Sequence, residues 1–257
     1  MQFLSRDGVR LGYEEQGSGS PPMLLVHGWS CDHTHFAPQA EHFSKRHRVI
    51  SVDLRGHGAS DSPEQEYSMA GFADDLADLC EQLDVNRPVV VGHSMGGVIA
   101  FEMAARHPEL VGAVVAIDSP LVPPAELASA IAGFVEGLKS PAYQDATRGF
   151  VNNMLFLPTD DAERRDRIAD QMAGAHQHVM ASAMECIFSC DTAASAAGCQ
   201  APALLINAAA PLADLDRLRQ LCPQIMIGQT VGAGHFNHLE VPDQVNAMIE
   251  RFMHVSL

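Results

Sequence analysis

Val89-Val90-Val91-Gly92-His93-Ser94-Met95-Gly96-Gly97-Val98 is the stretch on which the fold turns. Pro88–Gly92 reads as a short buried strand because of its three valines, and Met95–Arg106 reads as a helix closed by His107-Pro108. Between them Gly92-His93-Ser94-Met95-Gly96 matches G-x-S-x-G. The pattern alone is common; its place on a strand-to-helix turn gives it force. A serine on so sharp a turn is held in strained backbone geometry, with its hydroxyl projecting from the sheet edge. Gly92 and Gly96 are small where strand and helix must nearly touch. Ser94 also sits at the helix N-terminus, where N–H groups and the dipole favour developing negative charge.

The same alternation extends outward from this turn. Asp7-Gly8 between Gln2–Ser5 and Val9–Glu15 suggests a hairpin. Met23–Val26, Arg48–Asp53 and Val111–Ile117 read as strands, with helical spacing over Phe36–Phe43 and Met69–Leu83. After Pro120 strand-like runs stop until Ala203–Asn207 and Gln224–Val231, and the chain closes with a helix over Pro242–His254. The stretch between reads as three or four helices rich in Ala and Met, broken at Ser140-Pro141, Pro158 and Gly174. Strands separated by helices of this length imply a mostly parallel α/β sheet with helices on both faces. The expected organisation is a core of residues 1–120 and 199–257 and a helical lid, residues 121–198, inserted after the sixth strand.

Composition narrows the partners. Sixteen Lys and Arg against 32 Asp and Glu give a formal charge of −16, which argues against nucleic acid or an anionic membrane surface as partner. No apolar run is long enough to span a bilayer, and the start lacks a signal peptide's pattern, so the expected setting is cytoplasmic and the expected partner a small molecule. The sequence leaves the oligomeric state open. Six cysteines without a CxxC pair read as small apolar fillers, although Cys186 and Cys190 share a helical spacing; no metal site is expected.

A serine hydroxyl needs a base to become a nucleophile. His235, in Gly232-Ala233-Gly234-His235-Phe236 after the last strand, lies in a loop that should open on the same sheet edge as Ser94. The N–H of Met95 and that of Trp29, in His27-Gly28-Trp29 after the first buried strand, are the candidate oxyanion donors. Trp29 and His93 are also candidates for the substrate pocket, and His27 for bracing its loop.

With these segments the chain resembles the α/β-hydrolase superfamily over essentially its whole length. Val52-Asp53-Leu54-Arg55-Gly56-His57-Gly58-Ala59-Ser60 and Gly232–Glu240 add to the likeness, and they look like the lidded esterase, lactonase, perhydrolase and carbon–carbon hydrolase branches. The resemblance implies that Asp53, Arg55 and His57 build a loop. It also implies a carboxylate after the strand that follows the lid, yet Asn207-Ala208-Ala209-Ala210-Pro211 supplies none. Asp118, at the end of Val111–Ile117, keeps the order Ser, acid, His and is the substitute, with Asp214 and Asp216 as rivals.

The expected activity is acyl transfer from an apolar ester, lactone or thioester of small or medium size to water, with no cofactor. Phe134, Phe150, Met154, Phe156, Met172, Met180, Met184 and Phe188 of the lid are its candidate apolar walls. The early acid and Cys31, Asp32 and His33 after Gly28-Trp29 also resemble the cofactor-independent 3-hydroxy-4-quinolone 2,4-dioxygenases. That likeness implies a His–Asp pair acting as base on a substrate hydroxyl, with serine only binding.

Overall fold

Eight strands form one sheet in the computed structural model, which describes residues 1–257 apart from the side chain of Ala128. They are β1 (Gln2–Arg6), β2 (Val9–Gln16), β3 (Met23–Val26), β4 (Val49–Val52), β5 (Val89–His93), β6 (Ala113–Ile117), β7 (Ala203–Asn207) and β8 (Ile225–Gln229). Their spatial order is β1-β2-β4-β3-β5-β6-β7-β8. The hairpin β1–β2 and the β2–β4 pair are antiparallel; every later pair is parallel. Each parallel crossover carries helix, as the return path requires.

The helices are α1 (Ala37–Phe43), α2 (Met69–Gln82), α3 (Met95–Arg106), α4 (Ala125–Lys139), α5 (Tyr143–Phe150), α6 (Ala162–Ala173), α7 (Gln177–Ser189), α8 (Thr192–Gly198), α9 (Leu215–Leu221), α10 (Asn237–Glu240) and α11 (Pro242–Ser256). Period-two alternation divides the strand side chains between two cores. Val89 and Val91 face α1 and α11 with Phe36, Phe43, Ile249 and Phe252, whereas Val90, Val114 and Leu205 face α2, α3 and the insertion.

The structure trims several expected strands. Asp53 lies outside β4 because its carboxylate accepts from the N–H groups of His33 and Ala59. The stretch after Pro120 holds five α-helices rather than three or four. Asp191 starts α8 by accepting from the Ala194 N–H, with no proline or glycine to announce the break. A single π-helical turn, Val151–Leu155, follows α5. Among the described residues no helix is long and apolar enough to cross a membrane.

Candidate active site

Register places three key positions level with one another. His93 pairs with Ile117, and Ile117 with Ile206, so Ser94, Asp118 and Asn207 lie just beyond the last shared rungs of β5, β6 and β7. The Ser94 N–H donates to Ile117 O at 2.8 Å and the Asp118 N–H to Ile206 O at 2.8 Å. Both residues leave their strands through left-handed backbone, with φ of 53° at Ser94 and 43° at Asp118. Non-glycine residues held there store on the order of 1–3 kcal/mol each and need surroundings that enforce them. Those surroundings are tight. A Cβ at Gly92 would collide with Gly96 O, and one at Gly96 with Val26 O.

His235 approaches from the loop between β8 and α10. Its Nδ1–H donates to Asp118 Oδ2 at 2.7 Å, while Asp118 Oδ1 accepts from the Ala208 N–H at 2.8 Å. One carboxylate thus orients the imidazole and ties down the β7 end, the place where the family resemblance implies the acid. Asp214 is instead the N-cap of α9, accepting from the Arg217 N–H, and Asp216 is an exposed residue pairing with Arg219. Neither rival meets His235. With Nδ1 engaged, the His235 ring presents Nε2, which has no partner among the described hydrogen bonds, towards the cavity it shares with Ser94.

That cavity, about 90 Å³, lies between the strand ends and the insertion. Gly28, Trp29, Cys31, His93, Ser94, His235 and Phe236 form its floor, and Ile131, Phe150, Met154, Met172, Met184 and Phe188 its walls. Of the apolar residues singled out from the sequence, Phe134, Phe156 and Met180 stand elsewhere. Phe134 stacks on Phe150 at 4.1 Å, Phe156 stacks on Phe236 at 5.2 Å, and Met180 is core.

Trp29 does two things. Its indole Nε1–H donates to Met180 O on α7 at 2.9 Å, so the floor is tied to the insertion. Its backbone N–H and that of Met95, the first residue of α3, have no partner among the described hydrogen bonds. The main chain of this loop passes close to Ser94: a Cβ on Gly28 would lie 3.3 Å from Ser94 Cβ and 2.9 Å from His93 Nδ1.

His93 borders the cavity, yet only 1% of its surface is exposed and its Nε2–H donates to His235 O at 2.9 Å. Its ring packs beneath His235 at 4.6 Å. Burial lowers its basicity well below the ordinary histidine value, so it is a neutral strut, and its contact is with the His235 loop. His27 is also buried and of lowered basicity; it donates from Nδ1 to Gly28 O and accepts from the Leu54 N–H, bracing two loops.

Asp32, His33 and Asp53 bring ligand atoms within 4.8 Å of one another, but they lie off the cavity and are engaged. His33 donates to Asp53 from both its N–H and Nδ1–H; Asp32 caps Thr34 and accepts from Gln171 Nε2. They build loops, together with Arg55, which grips Asp75. All six cysteines are free thiols, and Cys31 borders the cavity.

Comparison with known proteins agrees with this architecture. A thermophilic esterase from Thermogutta terrifontis superposes with a TM-score of 0.87 at 24% identity, covering 100% of this chain and 99% of that one. The enol-lactonase from Burkholderia xenovorans LB400 gives 0.86 at 24%, covering 98% and 100%. In sequence, the 2-(acetamidomethylene)succinate hydrolase of Mesorhizobium japonicum is 42% identical over 120 residues, which are 45% of this chain and 43% of that protein. The chain spans between about a fifth and less than half of the length of the curated relatives it matches. The family described as alpha/beta hydrolase fold matches residues 21–242, a span that holds six of the eight strands, β3 to β8, and the chain belongs to the α/β hydrolase fold family.

Proposed function

We propose that the protein is a serine hydrolase that cleaves a neutral, mostly apolar ester, lactone or thioester of small or medium size through an acyl-enzyme. One observation carries the reading: Asp118 holds the Nδ1–H of His235 at 2.7 Å and leaves the Nε2 side to the cavity that Ser94 borders. In this reading residues 121–198 form a cap over a core of residues 1–120 and 199–257.

His235 Nε2 takes the Ser94 proton as Oγ attacks the carbonyl carbon. The Met95 and Trp29 N–H groups hold the oxyanion, and Asp118 stabilises the imidazolium. His235 then passes the proton to the leaving oxygen or sulfur, and the acyl group stays on Ser94. Water, deprotonated by His235, attacks the acyl carbon and releases the acid and the free serine.

The cavity walls carry no lysine or arginine among the described residues. A carboxylate on the buried part of the substrate would lose its hydration without gaining a counter-charge. Neutral acyl groups are therefore favoured, in contrast to the succinate named for the Mesorhizobium relative. The base-only dioxygenase reading gains no support from Asp32 and His33, which hydrogen-bond Thr34, Gln171 and Asp53 away from the cavity.

The test is hydrolysis of p-nitrophenyl acetate and butyrate, and fluorophosphonate labelling, by wild type and Ser94→Ala. Turnover and labelling that both vanish with Ser94→Ala support the proposal. Ester turnover that survives Ser94→Ala refutes it, as does oxygen uptake with a hydroxyquinolone that needs His235 but not Ser94.

A further inference from the structure

His235 is held by more than its acid. Its main-chain N–H donates to Leu155 O at 2.9 Å, and its carbonyl accepts from His93 Nε2 at 2.9 Å. The residue before it, Gly234, donates its N–H to the carboxylate of Asp160, 3.2 Å from each oxygen. Asp160 belongs to the insertion, between α5 and α6, and only 9% of its surface is exposed. Its Oδ2 also accepts from the Leu157 N–H at 2.7 Å, and its own N–H donates to Leu157 O at 3.1 Å. The carboxylate therefore closes a turn of the insertion and presents that turn to the histidine loop.

Contacts on either side reinforce the grip. Phe156 stacks on Phe236, and Arg164 Nη1 lies 2.7 Å from Glu240 Oε2. The approach requires glycine at 234: a Cβ there would lie 2.5 Å from Asp160 Oδ2 and 2.9 Å from Leu155 O. The loop Gly232-Ala233-Gly234 has little stiffness of its own, since Gly232 sits at φ 75° and both glycines lack a side chain to pack. A buried carboxylate accepting a main-chain N–H is a strong restraint for such a segment.

We infer that Asp160 is a positioning residue for His235, and that through it the insertion sets where the imidazole stands relative to Ser94. The base is assembled only while the segment 155–164 is seated. This goes beyond a cover that excludes water: the insertion holds part of the catalytic geometry. The plain alternative is that Asp160 merely closes the Leu157–Asp160 turn.

The two are separated by four proteins: wild type, Asp160→Ala, Asp160→Asn and Asp191→Ala. Asp191 is the matched control, an aspartate of the same insertion whose carboxylate accepts from the Ala194 N–H. The readouts are p-nitrophenyl acetate kinetics, the downfield proton NMR signal of the His235 Nδ1–H, and thermal midpoint. The expected result for Asp160→Ala is kcat lower by about 10- to 100-fold, KM within about threefold, and a broadened or absent signal. Asp160→Asn keeps one acceptor oxygen and falls between; Asp191→Ala matches wild type in kcat and signal. Wild-type kcat and a sharp signal in Asp160→Ala overturn the inference, and so does an activity loss equal to that of Asp191→Ala. If Asp160→Ala does not fold, Asp160→Asn decides by the same criteria.

The kinetic arm rests on the acyl-transfer reading; the spectroscopic arm does not. A wild type inert to esters whose signal disappears in Asp160→Ala sinks that reading and keeps the inference. Ester turnover with a signal indifferent to Asp160 does the reverse.

Discussion

Replacing Asp118 by asparagine separates orientation from mere presence. The side chain faces two groups, the Ala208 N–H at 2.8 Å and the His235 ring at 2.7 Å. The Ala208 N–H only donates, so an asparagine must give it the amide oxygen. The amide NH₂ then faces His235 Nδ1, which must become an acceptor, and the ring proton moves to Nε2. That is the tautomer that cannot take a proton from Ser94. Loss of the wrong-tautomer kind costs about 10³- to 10⁴-fold in kcat, or about 4–5.5 kcal/mol of transition-state stabilisation. The assay is p-nitrophenyl butyrate turnover between about pH 6 and 9, with circular dichroism to verify the fold. Because the shape and the Ala208 bond are kept, the thermal midpoint should change little. Asp118→Asn retaining activity within about tenfold of wild type would refute the reasoning, and so would a larger loss from Asp214→Asn.

Two further outcomes concern the tie of Trp29 to α7 and the buried histidines. Trp29→Phe removes the indole donor to Met180 O, a carbonyl inside α7 that keeps its helical partner; we expect the lost bond to cost about 0.5–1.5 kcal/mol and lower the calorimetric midpoint by about 1–6 °C, and an unchanged midpoint would deny the tie between floor and insertion. Stability should also fall as pH drops below about 6.5, because burial lowers His27, His93 and His238 and pushes His57 down to about 3. Between the unfolded and folded values the unfolded chain binds the extra protons, so each group withdraws up to about 1.4 kcal/mol per pH unit over that window. His33 and His35 act oppositely. Asp53 raises His33, and Cys31 and Asp32 outweigh burial to bring His35 to about 10, so their stabilisation is complete below about 6.5 and is lost as pH rises. Urea midpoints measured across pH should therefore peak near neutrality; a curve that is flat or still rising at pH 5 contradicts these burials.

The sheet was readable from Val89–Val91 and its neighbours because buried parallel strands are continuous apolar runs, and period two then assigns Val90 and Val91 to opposite cores. Ser94 and His235 were readable because each sits on a glycine-flanked turn at a strand's carboxyl end. Asp118 could be proposed because it ends the run Val111–Ile117 at the same sheet edge and keeps the order Ser, acid, His; the register that sets it level with Ser94 is visible only in the structure. The insertion was harder. Phe150 runs into the π-helical turn with only Gly149 before it and no proline to mark the change, and Asp191 caps α8 in a stretch of small residues. Asp160 carries no local mark beside Asp161, which is the N-cap of α6; its contact with Gly234 bridges 74 residues of chain. The indole of Trp29 finds its acceptor 151 residues away. Such long-range pairings have no periodicity to betray them.

The double engagement of Asp118 couples two strand ends. One oxygen accepts from the imidazole and the other from the main chain at the end of the neighbouring strand, so a change that shifts the turn at Ala208–Ala210 pulls on the same carboxylate that orients His235. Substitutions at that turn can therefore turn the ring without touching it.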